Sequence, residues 1–277
     1  MDRARSLLFV PGHRRSMVDK ALALDALDVA LLDLEDGVPL AEKDAARRLV
    51  TDALARPRGG PLRFVRVNRV GSAELERDLE AIARPGLDGI LLSKVERADE
   101  VLAVAMRARG VRLIAAIESA RGLLAAPAIA AASSQVAGLM FGAEDYANDL
   151  GLTVALEGEA REMRYARAAV VVAAAAARVA AFDGVWVDIP DLVGLRRDAL
   201  LARQLGFRGK SLIHPSHIAI VDEVFSPGEG EVAWARRVVA ASEEAARDGR
   251  AAVALDGRLV DPPVVERARR VLRAAGE

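Results

Sequence analysis

Two acidic residues, each placed just after an apolar run, could share one metal ion. Glu118 follows Leu113-Ile114-Ala115-Ala116-Ile117, and Asp145 follows Leu139-Met140-Phe141-Gly142. If the two runs are adjacent strands, they lie about 4.8 Å apart, and both carboxylates can reach one cation. Hard oxygen ligands, few in number and with room for water and substrate, suit Mg²⁺. Histidine is scarce (His13, His214, His217) and no HxH or HExxH spacing occurs, so zinc is not expected. No GxSxG is present. Gly142-Ala143-Glu144-Asp145 reads either as an ordinary turn or as one whose free N–H groups could hold a carboxylate.

Other charged residues follow the same rule of placement. Asp33-Leu34-Glu35-Asp36-Gly37 ends one apolar run, and Arg66 and Asn68 end the next. Lys94 follows a third, and Asp188 and His214 close two later ones. Strand ends meet solvent, so any one of these charges is unremarkable alone. Several carboxylates converging on one rim would repel, and would need a cation or raised pKa values. Lys94 raises the option of a Schiff base, which needs a lowered lysine pKa. The acids near it would instead raise that pKa, which favours an ion pair or a substrate contact.

The elements that would position these residues alternate in type, as in repeated βα units around a parallel sheet. Strands are expected at Ser6–Pro11, Val29–Leu34, Leu62–Val67, Gly89–Ser93, Arg112–Ile117, Val136–Phe141, Gly184–Val187 and Ser211–Ile213. Helical patterns lie between them at Arg14–Leu24, Glu42–Ala55, Ala73–Ala83, Ala98–Arg109, Leu123–Ala132, Glu157–Ala181 and Leu195–Leu205, with an eighth at Ser216–Phe225. This count is that of a (β/α)8 TIM barrel, whose active site lies at the C-terminal ends of the strands. A doubly wound sheet would carry GxGxxG after its first strand, and none is present. The barrel domain is expected over 1–225. A C-terminal helical extension over 226–277, with helices at Glu229–Asp248 and from about Val264, must bury its apolar face on the barrel or on a neighbouring subunit.

Bulk properties agree with one sizeable soluble core. The 277 residues are 52% hydrophobic and 29% charged, with a formal net charge of −1 and a pI near 6.4. Nucleic-acid and membrane-surface binding would need a basic field that this balance lacks. The absence of cysteine excludes disulfides, thiolate nucleophiles and cysteine-based zinc sites. The apolar stretch after Met1–Arg5 stops at Pro11-Gly12, too short for a signal peptide, and Ala168–Ala177 is too short for a membrane span of roughly 20 residues. A cytoplasmic protein is expected. Only four of the 39 basic residues are lysines (Lys20, Lys43, Lys94, Lys210). They mark either a compositional bias or places where arginine's planar fork cannot substitute.

The motifs, taken in order, resemble a family. They are Arg5-Ser6-Leu7-Leu8-Phe9-Val10-Pro11-Gly12, Leu32-Asp33-Leu34-Glu35-Asp36-Gly37-Val38 with Lys43 and Ala46-Arg47, and Val65-Arg66-Val67-Asn68. Ile117-Glu118-Ser119-Ala120-Arg121-Gly122, Phe141-Gly142-Ala143-Glu144-Asp145, Gly206-Phe207-Arg208-Gly209-Lys210, Ile213-His214-Pro215 and Asp256-Gly257-Arg258-Leu259-Val260-Asp261-Pro262 follow. The chain resembles the citrate lyase β-subunit and the malyl-CoA and citramalyl-CoA lyases of the HpcH/HpaI aldolase group.

The resemblance implies a TIM barrel holding Mg²⁺ on Glu118 and Asp145, with Glu35 and Asp36 supporting the metal from behind and Arg66 gripping substrate oxygens. It makes Asp261 the catalytic acid/base, delivered from a neighbouring subunit's tail. On the residues alone, Asp261 before Pro262 reads as a helix N-cap. Phe9 and Lys20 would lie near a CoA thioester, and Arg14 and Arg15 suit its phosphates by charge. The implied reaction is cleavage of a 3-hydroxy-3-carboxyacyl thioester, on CoA or an acyl-carrier protein, to an acetyl-type thioester and a 2-oxo acid such as oxaloacetate. A homo-oligomer, trimer or hexamer, is expected, with or without other lyase subunits. Two alternatives remain: a metal-dependent aldolase acting on free 2-oxo acids, and a non-catalytic assembly subunit of a lyase complex.

Overall fold

A computed structural model of the protein describes residues 4–152, 161–247 and 252–277. The chain divides into two compact units, Met1–Phe225 and Ser226–Glu277. In the first, eight parallel strands close into a barrel in sequence order. They are β1 (Ser6–Pro11), β2 (Val29–Asp33), β3 (Leu62–Val67), β4 (Gly89–Leu92), β5 (Arg112–Ile117), β6 (Val136–Phe141), β7 (Ala180–Asp183) and β8 (Gly209–Leu212). The helices between them are α1 (Arg15–Leu22), α2 (Lys43–Leu54), α3 (Ala73–Ile82), α4 (Ala98–Arg107), α5 (Ala120–Ala130), α6 (Ala143–Asp149), α7 (Arg164–Ala176), α8 (Leu192–Leu205) and α9 (Ile218–Phe225).

Strand alternation builds two cores. Leu7, Leu31, Phe64, Leu91, Ile114, Met140 and Phe182 fill the barrel interior. Leu8, Leu32, Val65, Ile90, Leu113 and Leu139, one residue out of phase, pack outward against the helices.

The (β/α)8 fold is the one expected, but two strands differ in place. The seventh is Ala180–Asp183, not Gly184–Val187, and the eighth is Gly209–Leu212, not Ser211–Ile213. The reason is that α7 stops at Ala176, well short of Ala181, and Arg178 turns left-handed at φ 59°. Val179 onward is thereby freed for the sheet. The start of the expected helix, 157–160, lies outside the described residues. Asp188 consequently sits exposed on the following loop, and Asp183 is the acid that ends β7. His214 instead opens a short 3-10 turn, Pro215–His217, where its ring accepts from the Ser216 N–H at 3.2 Å.

The second unit contains α10 (Glu229–Arg247), β9 (Val253–Leu255), β10 (Arg258–Val260) and α11 (Pro262–Ala275). Asp248, the expected end of its first helix, lies outside the described residues. β9 and β10 form an antiparallel hairpin across Asp256-Gly257, both left-handed, with φ 51° and 73°. The unit has a small core of its own in Ala235, Val238, Val260, Val265 and Ala268. Part of its apolar face is thus buried internally, because its two helices pack on each other beside the hairpin.

Candidate active site

The charged residues at the C-terminal end of the barrel form one network. Asp33 and Arg66 are register partners across β2 and β3, which puts both side chains on the same side of the sheet. The Arg66 guanidinium donates to both Asp33 oxygens, Nε to Oδ1 at 2.7 Å and Nη2 to Oδ2 at 2.6 Å. Its Nη1 lies 3.3 Å from Glu35, and the guanidinium carbon sits 4.7 Å from the Phe9 ring centroid. A bidentate pair beneath an aromatic face fixes the fork in orientation as well as in charge. Burial alone would lower the Arg66 pKa, but Asp33, Glu35 and Glu118 outweigh it and raise it.

Asp33 also folds the loop that follows it. Its carboxylate accepts from the N–H of Glu35 at 2.8 Å and of Gly37 at 2.9 Å. A Cβ on Gly37 would come within 2.3 Å of Asp33 Oδ2, so glycine there permits the clasp. Below the loop, the Lys43 ammonium donates to the carbonyls of Leu34 and Glu35 and to Asn68 Oδ1, at 2.6, 2.7 and 2.8 Å. Lys94 binds Asp36 at 2.7 Å and Glu35 at 2.9 Å. Lys210 meets Asp183 at 2.7 Å and Asp198 at 2.5 Å. Three of the four lysines therefore sit where acceptors converge on one point, which suits an ammonium better than a planar fork. The fourth, Lys20, is exposed on α1.

Lys94 does not have the setting of a Schiff-base lysine. Burial would lower its pKa, but the bonds to Asp36 and Glu35 win, and the ammonium is held above its ordinary range. Burial likewise pushes the Glu35 carboxyl up, against the pull of Arg66 and Lys94.

Glu118 stands immediately after β5 and is nearly buried. Its Oε2 accepts from the Lys94 N–H at 2.7 Å. Lys94 reaches that position through a left-handed backbone, φ 53°. Burial pushes the Glu118 carboxyl up to about 7; Arg66 and the Lys94 N–H oppose this, and the charges of Asp145 and Glu35 add to it. Gly142, after β6, leaves the space that Glu118 occupies. A Cβ there would meet Glu118 Cγ at 2.4 Å and Oε1 at 2.8 Å.

Asp145 lies in the first turn of α6, half-buried, and its carboxylate makes no hydrogen bond or ion pair among the described residues. The two acids thus face one region, one strained by burial and the other unpartnered. No group of three or more His, Cys, Asp or Glu able to hold a metal occurs among the described residues. The donor set therefore fits an ion that takes two carboxylates and fills its remaining positions with water or substrate, as Mg²⁺ does.

A family model described as HpcH/HpaI aldolase/citrate lyase matches residues 5–215. The chain belongs to this family. The citrate lyase subunit beta of Escherichia coli (strain K12) is 41% identical over 283 residues, spanning 98% of this chain and 93% of that protein. A (3S)-malyl-CoA thioesterase of Cereibacter sphaeroides is 38% identical, spanning 98% and 94%. Among solved structures, the protein CitE of Mycobacterium tuberculosis, in complex with magnesium, acetoacetate and coenzyme A, superposes with a TM-score of 0.84. Its identity is 38%, over 100% of both chains.

For this member of the HpcH/HpaI family, the remaining sequence-derived residues fall in three places. Phe9 joins the network through Arg66. Arg14 and Lys20 lie exposed at the start and end of α1, without side-chain partners among the described residues, and Arg15 is 3.6 Å from Asp52. Asp261, in the second unit, caps α11: its Oδ1 accepts from the Val264 N–H at 3.2 Å, and among the described residues no hydrogen bond engages its other oxygen. Sequence reasoning noted Asp33 only as a strand end. Its grip on Arg66 depends on the β2–β3 register, which no spacing along the chain reveals. No helix among the described residues is long and apolar enough to cross a membrane.

Proposed function

We propose that the chain is a Mg²⁺-dependent carbon–carbon lyase that cleaves a 3-hydroxy-3-carboxyacyl thioester to an acetyl-type thioester and a 2-oxo acid such as oxaloacetate. The observation that carries this reading is the convergence of buried Glu118, unpartnered Asp145 and immobilised Arg66 at one end of the barrel. The Mg²⁺, acetoacetate and coenzyme A bound to the M. tuberculosis relative support the same ligand classes here.

Glu118 and Asp145 would hold the ion, which when bound supplies a Lewis acid and a template for the substrate's hydroxyl and carboxylate. Arg66 needs no reorganisation to act, because Asp33 already orients it. It offsets negative charge on the oxygen that becomes the oxo group. The hydroxyl proton passes to water as the new C=O forms, the bond from the carbinol carbon to the thioester α-carbon breaks, and the electron pair moves into a thioester enolate. Asp261 of a second copy is assigned the proton that converts this enolate to the acetyl-type product, and removes it in the reverse direction. Its uncommitted oxygen supports the assignment, as does the family resemblance. This role requires a homo-oligomer, taken here as a trimer or hexamer, with Phe9, Lys20 and Arg14 toward the CoA or carrier-protein arm.

The test is a panel of citryl-CoA, malyl-CoA and citramalyl-CoA with Mg²⁺, scoring both 2-oxo acid and free thiol. Oxo acid without thiol is the expected product pattern. Thiol without oxo acid would mean thioester hydrolysis, the activity named for the C. sphaeroides relative.

A further inference from the structure

Three non-glycine residues among the described ones adopt a left-handed backbone: Lys94, Arg178 and Asp256. Two of them stand where such a residue is common. Arg178 follows the end of α7, and Asp256 turns the β9–β10 hairpin. Lys94 does not. It follows β4, between two residues fastened to neighbouring strands. The Ser93 hydroxyl donates to the Val67 carbonyl of β3 at 2.9 Å, and the Val95 N–H donates to the Ala116 carbonyl of β5 at 3.2 Å. Between them Lys94 holds φ 53°, and its N–H serves Glu118 Oε2 at 2.7 Å instead of a strand carbonyl. Lysine has no preference of its own for that conformation, and backbone strain of this kind persists only where the surrounding structure demands it.

The bond divides the two oxygens of Glu118. Oε2 is held. Oε1 makes no hydrogen bond or ion pair among the described residues and faces Gly142, where a Cβ would lie 2.8 Å from it. Gly142 opens α6, which carries Asp145 in its first turn. The Lys94 ammonium serves a different place: it reaches the loop after β2 and meets Asp36 and Glu35 at 2.7 and 2.9 Å. Lys94 therefore acts twice, through atoms that substitution can separate.

We propose that Lys94 is a positioning residue of the metal site, and that it acts on Glu118 through its left-handed backbone amide and not through its ammonium. The amide fixes Oε2 and leaves Oε1 to the ion, while the ammonium opposes a cation by charge. This role presupposes that Glu118 and Asp145 hold Mg²⁺, as proposed above. Hydrogen-bond partners behind a metal ligand are typically worth about 10–100-fold in affinity.

The test is calorimetric titration of MgCl2 at pH 8 into the full-length parent and four variants that all lack the ammonium. Lys94→Gly and Lys94→Asn tolerate a left-handed backbone, whereas Lys94→Ala and Lys94→Val do not. The Gly and Asn variants should bind Mg²⁺ no more weakly than the parent, since the lost charge opposed the ion. The Ala and Val variants should bind it at least about tenfold more weakly than the Gly variant. If Lys94→Val does not fold, the Gly and Ala pair carries the same comparison. A merely structural Lys94 would lower the melting temperature of the Ala and Val variants and leave Mg²⁺ affinity equal in all four, which would overturn the proposal. So would an affinity that falls as far in Lys94→Gly as in Lys94→Ala, since the role would then belong to the ammonium. No Mg²⁺ binding by the parent would overturn the metal site and this role together, whereas equal binding by the parent and every variant would overturn the role alone.

Discussion

Replacing Glu118 by Gln removes one buried negative charge and keeps an oxygen that can accept the Lys94 N–H. The folded-state carboxyl titrates near 7, against an ordinary value of 4.5. Below pH 4.5 it is protonated in both folded and unfolded chains, and its burial costs nothing. Between 4.5 and 7 only the unfolded chain ionises, so stability falls as pH rises, and above 7 the full cost is present. At about 1.4 kcal/mol per pH unit, that gap makes roughly 3 kcal/mol. Without metal at pH 8, Glu118→Gln should therefore be more stable than the parent by up to about 3 kcal/mol, a gain that disappears by pH 4.5. Mg²⁺ should raise the melting temperature of the parent and not of the variant. In the parent, Mg²⁺ affinity should fall about tenfold per pH unit below 7, since the ligand must be deprotonated to bind. Urea denaturation across pH, with and without Mg²⁺, checks all three outcomes. A variant less stable than the parent at pH 8, yet still stabilised by Mg²⁺, would refute the reasoning.

Gly142→Ala should displace Glu118, because the new Cβ would lie 2.4 Å from its Cγ. Calorimetry should show at least a tenfold loss of Mg²⁺ affinity, with a stability cost of about 1–3 kcal/mol from overpacking. Asp33→Ala unties Arg66 and the N–H groups of Glu35 and Gly37, so it should cost about 3 kcal/mol in denaturation and lower kcat as Arg66 loses its fixed orientation. Asp261→Asn should keep the cap on α11, since Asn caps about as well as Asp, and change stability by less than about 0.5 kcal/mol. Turnover should fall about 100-fold or more in steady-state assays if Asp261 moves the proton.

How far the sequence could be read varied with the kind of signal. Strands one to six were legible because their Val, Ile, Leu and Phe runs alternate with helical periods. β7 was not, because Ala180-Ala181 carries little β signal and continues an alanine-rich helix, and only the left-handed Arg178 marks the break. The β9–β10 hairpin did carry a signal in Asp256-Gly257 between Val253–Leu255 and Arg258–Val260, a dipeptide that favours a tight left-handed turn. The placement of Glu118 and Asp145 at one end of the barrel was legible because each follows an apolar run on one of two consecutive strands. The Asp33–Arg66 clamp was not, because cross-strand register depends on the closed barrel.

The central claim is that Glu118 and Asp145 hold Mg²⁺ together with a 2-oxo acid. Calorimetric titration of MgCl2 into the protein at pH 8 with oxaloacetate present, compared with Asp145→Asn, addresses it most directly. One ion per chain in the parent and none in the variant is the expected result. Equal binding in both proteins, or none in the parent, would contradict the claim.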